Sequence, residues 1–441
     1  MTNSSGAIMG KGKNAVVIGA GLAGSEAAWQ LAQSAIGVIL WDMKPQEMSP
    51  AHSMAGFGEL VCSNSLKASR LESASGLLKE EMRRLDSLIL KAADACAVPA
   101  GGALAVDRLL FSEYITNELM AHPNIDIRAG RVEKIPQGPC IVATGPLTDG
   151  DLFDDIAQMA GKDALYFFDA AAPIVTKDSI DMEKAYFKSR YDKGEGADYI
   201  NCPMDKQQYD TFVDALLSAQ TADIHGFEEN MLFEGCMPVE SMARRGRQTL
   251  AFGPMKPIGL NDPRTGKMPH AVVQLRQDDA AGEMYNLVGF QTRLKFPEQK
   301  RVFSMIPGLE KAEFVRYGVM HRNTYLNSPG FLSADYSAVK NPLIYFAGQI
   351  SGVEGYVESA ASGLVAGRSL AAKLLGNEPP DYTKKTMIGA LAAYISAQHS
   401  RFDPMNANFS IIEPLSERIR SKKEKYAAYA ARSLEHLAQM G

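Results

Sequence analysis

The first strong pattern in the chain is Ala15 to Ile18, an unbroken apolar run of the length of a buried strand. Glycines follow at 19, 21 and 24, and a helical pattern sets in over Ser25 to Ala32. A second apolar run, "GVILWD", ends on Asp42. Strand, glycine turn, helix and strand in that order predict a βαβ unit. Apolar residues recur at helical spacing over 71 to 91. A helix is expected around Arg108 to Leu119 and a strand around Ile125 to Ala129, and "CIVATG" (Cys140 to Gly145) reads as another buried strand ending in a turn.

From about 165 to 330 the pattern changes. Short strand-like runs ("APIVT", "AVVQLR", "YNLVGF") alternate with proline and glycine turns, with helices expected around 205 to 218 and 297 to 304. The parallel-sheet style then returns in "NPLIYFAGQISGVEGYVESAASGLVAGRSLAAKLL": a strand, a glycine-rich turn and a long helix. From Glu413 the tail reads as a charged helix. The expected architecture is α/β: a dinucleotide-binding domain from 14 to 165, an α+β insertion domain from 166 to 330 on the substrate side, and a return to the first domain from 331 to 441.

Composition narrows the class. At 46% hydrophobic and 22% charged the chain has the balance of a soluble globular protein. No window approaches the roughly 20 apolar residues of a membrane span, and the polar N-terminus lacks the core of a secretory signal. Five cysteines (62, 96, 140, 202, 236) are scattered without a CxxC pair. They imply reduced thiols in a cytoplasm and neither a disulfide framework nor a metal cage. The net charge of −5 leaves a nucleic-acid partner open, because a local basic face suffices for one.

The turn residues Gly19, Ala20, Gly21, Leu22, Ala23 and Gly24 stand in GxGxxG register, with Asp42 at the end of the next strand to hold ribose hydroxyls. Glycines there let the backbone approach a pyrophosphate at the helix N-terminus. The late "FAGQISGVEGY" segment, with Gly348, Gly355 and Tyr356, resembles the returning cofactor contact of glutathione-reductase-like flavoproteins. A fold like theirs and FAD as cofactor are therefore expected, with the second helix N-terminus facing the flavin. NAD alone would not need such a return, and no second GxGxxG offers NAD(P)H a domain of its own.

A reactive cysteine needs a nearby cation or helix N-terminus to favour its thiolate. Cys62 precedes "SNS", a stretch able to cap a helix, and Lys67 lies close in sequence. Cys236 lies upstream of Arg244, Arg245 and Arg247. Cys140 and Cys96 read as core, and Cys202 fits either reading. Cations also gather in "QTRLKFPEQKR", "HRNTY" and "RIRSKKEKY". They suit either a phosphate-binding face or solvated faces paired with acids.

Further segments carry a specific resemblance: "GELVCSNSLK", "VPAGGALAVDR", "EGCMPVESMARRGRQTLAFGPMKPIGL", "DPRTGKMPHAVVQLR", "YNLVGFQTRLKFPEQKRVF", "MHRNTYLNSP" and "FDPMNANFSI". From about Ala15 to Leu437 the chain resembles the folate- and FAD-dependent tRNA uracil-C5 methyltransferases. The resemblance implies methylenetetrahydrofolate as one-carbon donor, FAD as cofactor, NAD(P)H as reductant and a T-loop uridine of tRNA as acceptor, with 23S ribosomal RNA as the alternative substrate. It places the family's two functional cysteines on Cys62 and Cys236. One thiolate adds to uracil C6 so that C5 becomes nucleophilic. Attack is assigned to Cys236, beside Arg244, Arg245 and Arg247 as RNA contacts, and Cys62 is left to act as base or to protect the flavin. Tyr345, Phe346 and Tyr356 are candidates for stacking on flavin or folate, although packing in the core is the stronger reading for all three.

Overall fold

A computed structural model describes residues 13–49, 51–161, 165–170, 172–192, 197–222, 237–318, 320–399 and 402–440. Two apolar surfaces organise it. The first is a six-stranded sheet ordered Ser337–Ala338, Asn341–Phe346, Cys140–Val142, Asn14–Ile18, Gly37–Asp42, Ile125–Ala129. All its pairings are parallel except that of the edge strand Ser337–Ala338. The late strand Asn341–Phe346 pairs directly with Cys140–Val142, so the end of the chain completes the sheet begun at its start. The fold is thus a Rossmann-type α/β domain with an inserted α+β unit, as expected.

The first helix, Leu22–Gln33, and the return helix, Tyr356–Leu375, lie against each other across this sheet. Their contact is at backbone distance. A Cβ on Gly363 would stand 2.1 Å from the Ala23 carbonyl oxygen, and one on Gly367 would stand 2.8 Å from that of Ala27. Arg368 locks the pair from the side by donating to Gln30 Oε1 and to the Leu85 carbonyl.

The second surface is an antiparallel six-stranded sheet, ordered Tyr186–Phe187, Tyr199–Met204, Ala271–Gln277, Met284–Leu287, Ile174–Thr176, Phe314–Arg316. Helices Lys206–Ser218 and Phe296–Phe303 contribute to its core. A two-stranded ribbon, Leu165–Ala170 with Met320–Tyr325, brackets this unit.

Two expectations are corrected. The helical pattern over 71 to 91 forms two helices, Ala74–Arg84 and Leu88–Ala95. Asp86 between them takes a positive φ of 60°, and Ser87 caps the second helix. The tail is helical only over Lys422–Met440. The stretch before it is held instead by Arg432, which donates to the carbonyls of Glu413 and Pro414.

Two buried carboxylates act as remote helix caps. Glu26 accepts from the Ser87 hydroxyl and the Ile89 amide at the start of Leu88–Ala95. Glu81 accepts from the Met387 and Ile388 amides at the start of Met387–Ser396, and from the Ser433 hydroxyl.

Two outcomes follow from these contacts. Gly363→Ala forces the two helices apart and lowers stability by roughly 1–3 kcal/mol, read from unfolding curves. Unchanged unfolding would contradict the backbone contact. Burial pushes Glu81 up to about 7. A carboxyl raised on folding contributes stability that is present below its unfolded-state pKa and lost as pH rises through the folded value. Glu81→Gln stays neutral, so relative to wild type it gains up to about 3 kcal/mol between about pH 5 and pH 8. A difference that does not change with pH would refute this.

Candidate active site at the dinucleotide cleft

The GxGxxG turn divides its labour by position. Gly19 has φ 96°, and a Cβ there would lie 2.6 Å from the Ala143 carbonyl oxygen. A Cβ on Gly24 would lie 1.7 Å from the Gly19 carbonyl oxygen, so this glycine permits the helix to pack on the turn. Gly21 faces open space, with nothing within 4 Å of its Cβ position. It starts the first helix with no side-chain cap, leaving first-turn amides for an anion. A tight turn, an open approach and a close helix packing are what a dinucleotide's pyrophosphate requires.

The cleft above this turn encloses about 1250 Å³, including its open mouth. It runs from Trp41 and Asp42 past Gly130 and Thr144 to Gly348, Gln349 and Tyr356. The return helix begins at Gly355, φ 116°, again with no side-chain cap. Residues from the starts of both helices therefore line one elongated cleft, which fits a two-part ligand such as FAD. Asp42 is tied into the turn more tightly than expected. One carboxylate oxygen accepts from the Ala20 amide at 2.6 Å and the other from the Lys44 amide at 2.8 Å. Each oxygen keeps a lone pair for a ribose hydroxyl.

Cys62 sits beside this cleft, half-buried. Its surroundings differ from the expectation. The residues after it form a strand, Ser65–Ala68, and not a capped helix. Lys67 turns to Glu358, at 2.9 Å. The partner of the thiol is Tyr356, whose hydroxyl oxygen lies 2.8 Å from Cys62 Sγ. That oxygen also accepts from the amides of Cys62 at 2.7 Å and Ser63 at 3.2 Å. Two amide donors occupy both of its lone pairs, so its own proton is directed at the sulfur. The thiol is thereby held as an acceptor, the arrangement that favours thiolate. Burial, followed by the charge of Cys62, keeps the Tyr356 phenol well above its ordinary pKa, so it retains the proton it donates.

Cations surround this pair. Arg108 donates to the Leu60 carbonyl and pairs with Asp278 at 3.0 Å. Arg276 donates to Ser63 Oγ at 2.7 Å and Asn64 Oδ1 at 2.9 Å. Arg316 stands within electrostatic reach of Cys62 and Tyr356. The loop carrying the thiol is thus clamped by Arg108 from helix Arg108–Ala121, Tyr356 from the return helix and Arg276 from the second sheet. These three arginines escaped sequence reading; the only local signal was Asp107 before Arg108, which caps Arg108–Ala121.

Cys236 lies outside the described residues. Arg244 and Arg245, at the end of helix Val239–Arg244, and Arg247 beyond it are exposed. Arg247 pairs with Asp214 at 2.6 Å, which moderates its availability for phosphate. Tyr345 and Phe346 are fully buried in the first core and do not line the cleft. Cys140 and Cys202 are fully buried, and burial raises both thiols, Cys202 up to about 12. Cys96 is buried and raised as well. Among the described cysteines only Cys62 is placed to react.

A protein-family model described as "Glucose inhibited division protein A" matches residues 14–378. The chain is 60% identical over 420 residues to the Anoxybacillus flavithermus protein named "Methylenetetrahydrofolate--tRNA-(uracil-5-)-methyltransferase TrmFO", covering 95% of this chain and 97% of that one. The protein of that name from Staphylococcus carnosus is 59% identical over 423 residues, covering 96% and 97%. Among solved structures, the form I crystal of Aquifex aeolicus GidA aligns with a TM-score of 0.70 at 17% identity, over 97% of this chain and 76% of that one. That likeness establishes the fold.

The Tyr356 contact makes a direct prediction. Tyr356→Phe removes the proton aimed at the sulfur, so alkylation of Cys62 by iodoacetamide at neutral pH slows about tenfold and its pH profile moves upward. Peptide mapping reads the site. Equal or faster alkylation would show that the hydroxyl does not support thiolate.

Proposed function

The chain belongs to the methylenetetrahydrofolate--tRNA-(uracil-5-)-methyltransferase family, and we propose that it transfers a one-carbon unit from methylenetetrahydrofolate to C5 of a T-loop uridine in tRNA, giving 5-methyluridine. The observation that carries this reading is a half-buried thiol, held as an acceptor by Tyr356, beside a cleft built for a dinucleotide. Bound FAD, reduced by NAD(P)H, would supply the electrons that turn a methylene carbon into a methyl group. Among the described residues no helix is long and apolar enough to cross a membrane. The scattered cysteines, with no CxxC pair in the sequence, suit a reducing cytoplasm.

The protein's own groups account for the activation of uracil, whose C5 is a poor nucleophile. A cysteine sulfur bonds to C6 and the electron pair of the C5–C6 double bond passes to C5, which then bonds to the one-carbon unit. A base removes the C5 proton, and that electron pair restores the double bond as the sulfur leaves. We assign the attack on C6 to Cys236, close in sequence to the exposed Arg244 and Arg245. Cys62 suits removal of the C5 proton, because its sulfur is already held as an acceptor. Arg108, Arg276 and Arg316 keep the surroundings of the thiol positive.

Incubation with labelled methylenetetrahydrofolate, NADPH and unmodified tRNA is expected to place label in 5-methyluridine. No label there would reject the reading, and label in 23S ribosomal RNA alone would move it to that substrate. A transcript carrying 5-fluorouridine cannot lose a proton from C5, so the sulfur stays bound. Wild type and Cys62→Ala are expected to form this covalent complex, and Cys236→Ala is not. A complex lost only with Cys62→Ala would exchange the two roles.

A further inference from the structure

We infer that Phe314, Tyr317 and Phe296, together with the guanidinium of Arg316, form a nucleotide subsite beside the thiol that takes the RNA base next to the target uridine. The inference rests on the RNA-modifying reading above and adds a surface to it.

Three rings form a ladder. Phe314 and Tyr317 stack with centroids 5.2 Å apart and planes 11° from parallel. Tyr317 and Phe296 stack at 4.9 Å and 15°. The inner end, Phe314, packs against the insertion core. The outer end, Phe296, is 51% exposed. A stack of parallel rings that ends in solvent leaves one position in the series open, and a nucleobase is the flat π-surface that RNA brings to it.

The ladder is rigid before any ligand arrives. Gln299 is fully buried, and its amide pairs both ways with Gly318, donating to the carbonyl and accepting from the amide, each at 2.8 Å. The same amide donates to the Leu294 carbonyl at 2.7 Å. This fastens the segment carrying Tyr317 to the start of the helix carrying Phe296. Pro297 sits in the first turn of that helix and stiffens its start. A preformed platform spares the ordering cost that a loose surface ring would incur on binding.

Charge selects the partner. Exposed Lys295 precedes Phe296, and exposed Lys300 lies four residues on, on the same helix face. Arg316 is half-buried, its guanidinium makes no hydrogen bond or ion pair to any described residue, and it lies within electrostatic reach of Cys62 and Tyr356. Arg316 and Tyr317 are successive residues, so the segment that carries the cation also carries a ring of the ladder. Neighbouring nucleotides are likewise joined by one phosphate. A uridine turned out of its stack towards Cys62 would leave its linking phosphate near Arg316 and its neighbour's base on Phe296.

The test is a cycle of protein and RNA changes, measured as the affinity of FAD-loaded protein for unmodified tRNA. Phe296→Ala is expected to weaken binding about tenfold, and Phe296→Trp to preserve it. An abasic residue on one side of the target uridine should weaken wild type similarly and cost Phe296→Ala nothing more. Arg316→Gln should reduce the slope of log affinity against log salt by about one. The inference is overturned if Phe296→Ala binds like wild type, if the two losses multiply at both neighbouring positions, or if Arg316→Gln leaves the salt slope unchanged. Wild type that binds no RNA would overturn the RNA-modifying reading itself, and this inference with it.

Discussion

The structure depends on how closely the first helix and the return helix approach. Gly363 and Gly367 face the carbonyls of Ala23 and Ala27 at distances no side chain could occupy. That contact brings together two segments more than three hundred residues apart. It sets both uncapped helix starts along one cleft, and the second of them carries Tyr356. A wider spacing would move Tyr356 away from Cys62 and pull the two helix starts apart. Close packing thus has a chemical purpose here as well as a contribution to stability.

The second constraint is electrostatic. A thiol beside an apolar core is ordinarily protonated and inert, as burial makes Cys140 and Cys202. The setting of Cys62 is different, because the loop from Leu60 to Asn64 is polar and tied down on several sides. Arg108 holds its start, Arg276 its end, and Tyr356 its amides. The loop can thus present a sulfur lone pair to a donor without being loose. The same arginines lend positive charge to a site whose proposed substrate is a polyanion.

The buried carboxylates show how remote segments are joined. Glu26 and Glu81 each satisfy the amides of a helix start far away in sequence. Glu81 joins three elements, including the C-terminal helix through Ser433. A carboxylate without such donors would be costly to bury, so these contacts help to specify which helix lies where.

Features governed by short-range physics were legible in the chain. Periods of apolar residues marked most strands and helices, and the GxGxxG spacing identified a tight strand-to-helix turn. The resemblance of longer segments led to the family. Errors fell where local preference was outvoted: the helix break at Asp86, the late start of the C-terminal helix, and the strand after Cys62. What only the tertiary structure decided is the setting of the thiol. Tyr356 lies 294 positions from Cys62, and Arg276 lies 213 from the Ser63 hydroxyl it holds. No periodicity encodes such pairings. They arise because two sheets and two glycine-packed helices close around one loop, and hydrogen-bond direction then assigns the proton between Tyr356 and Cys62.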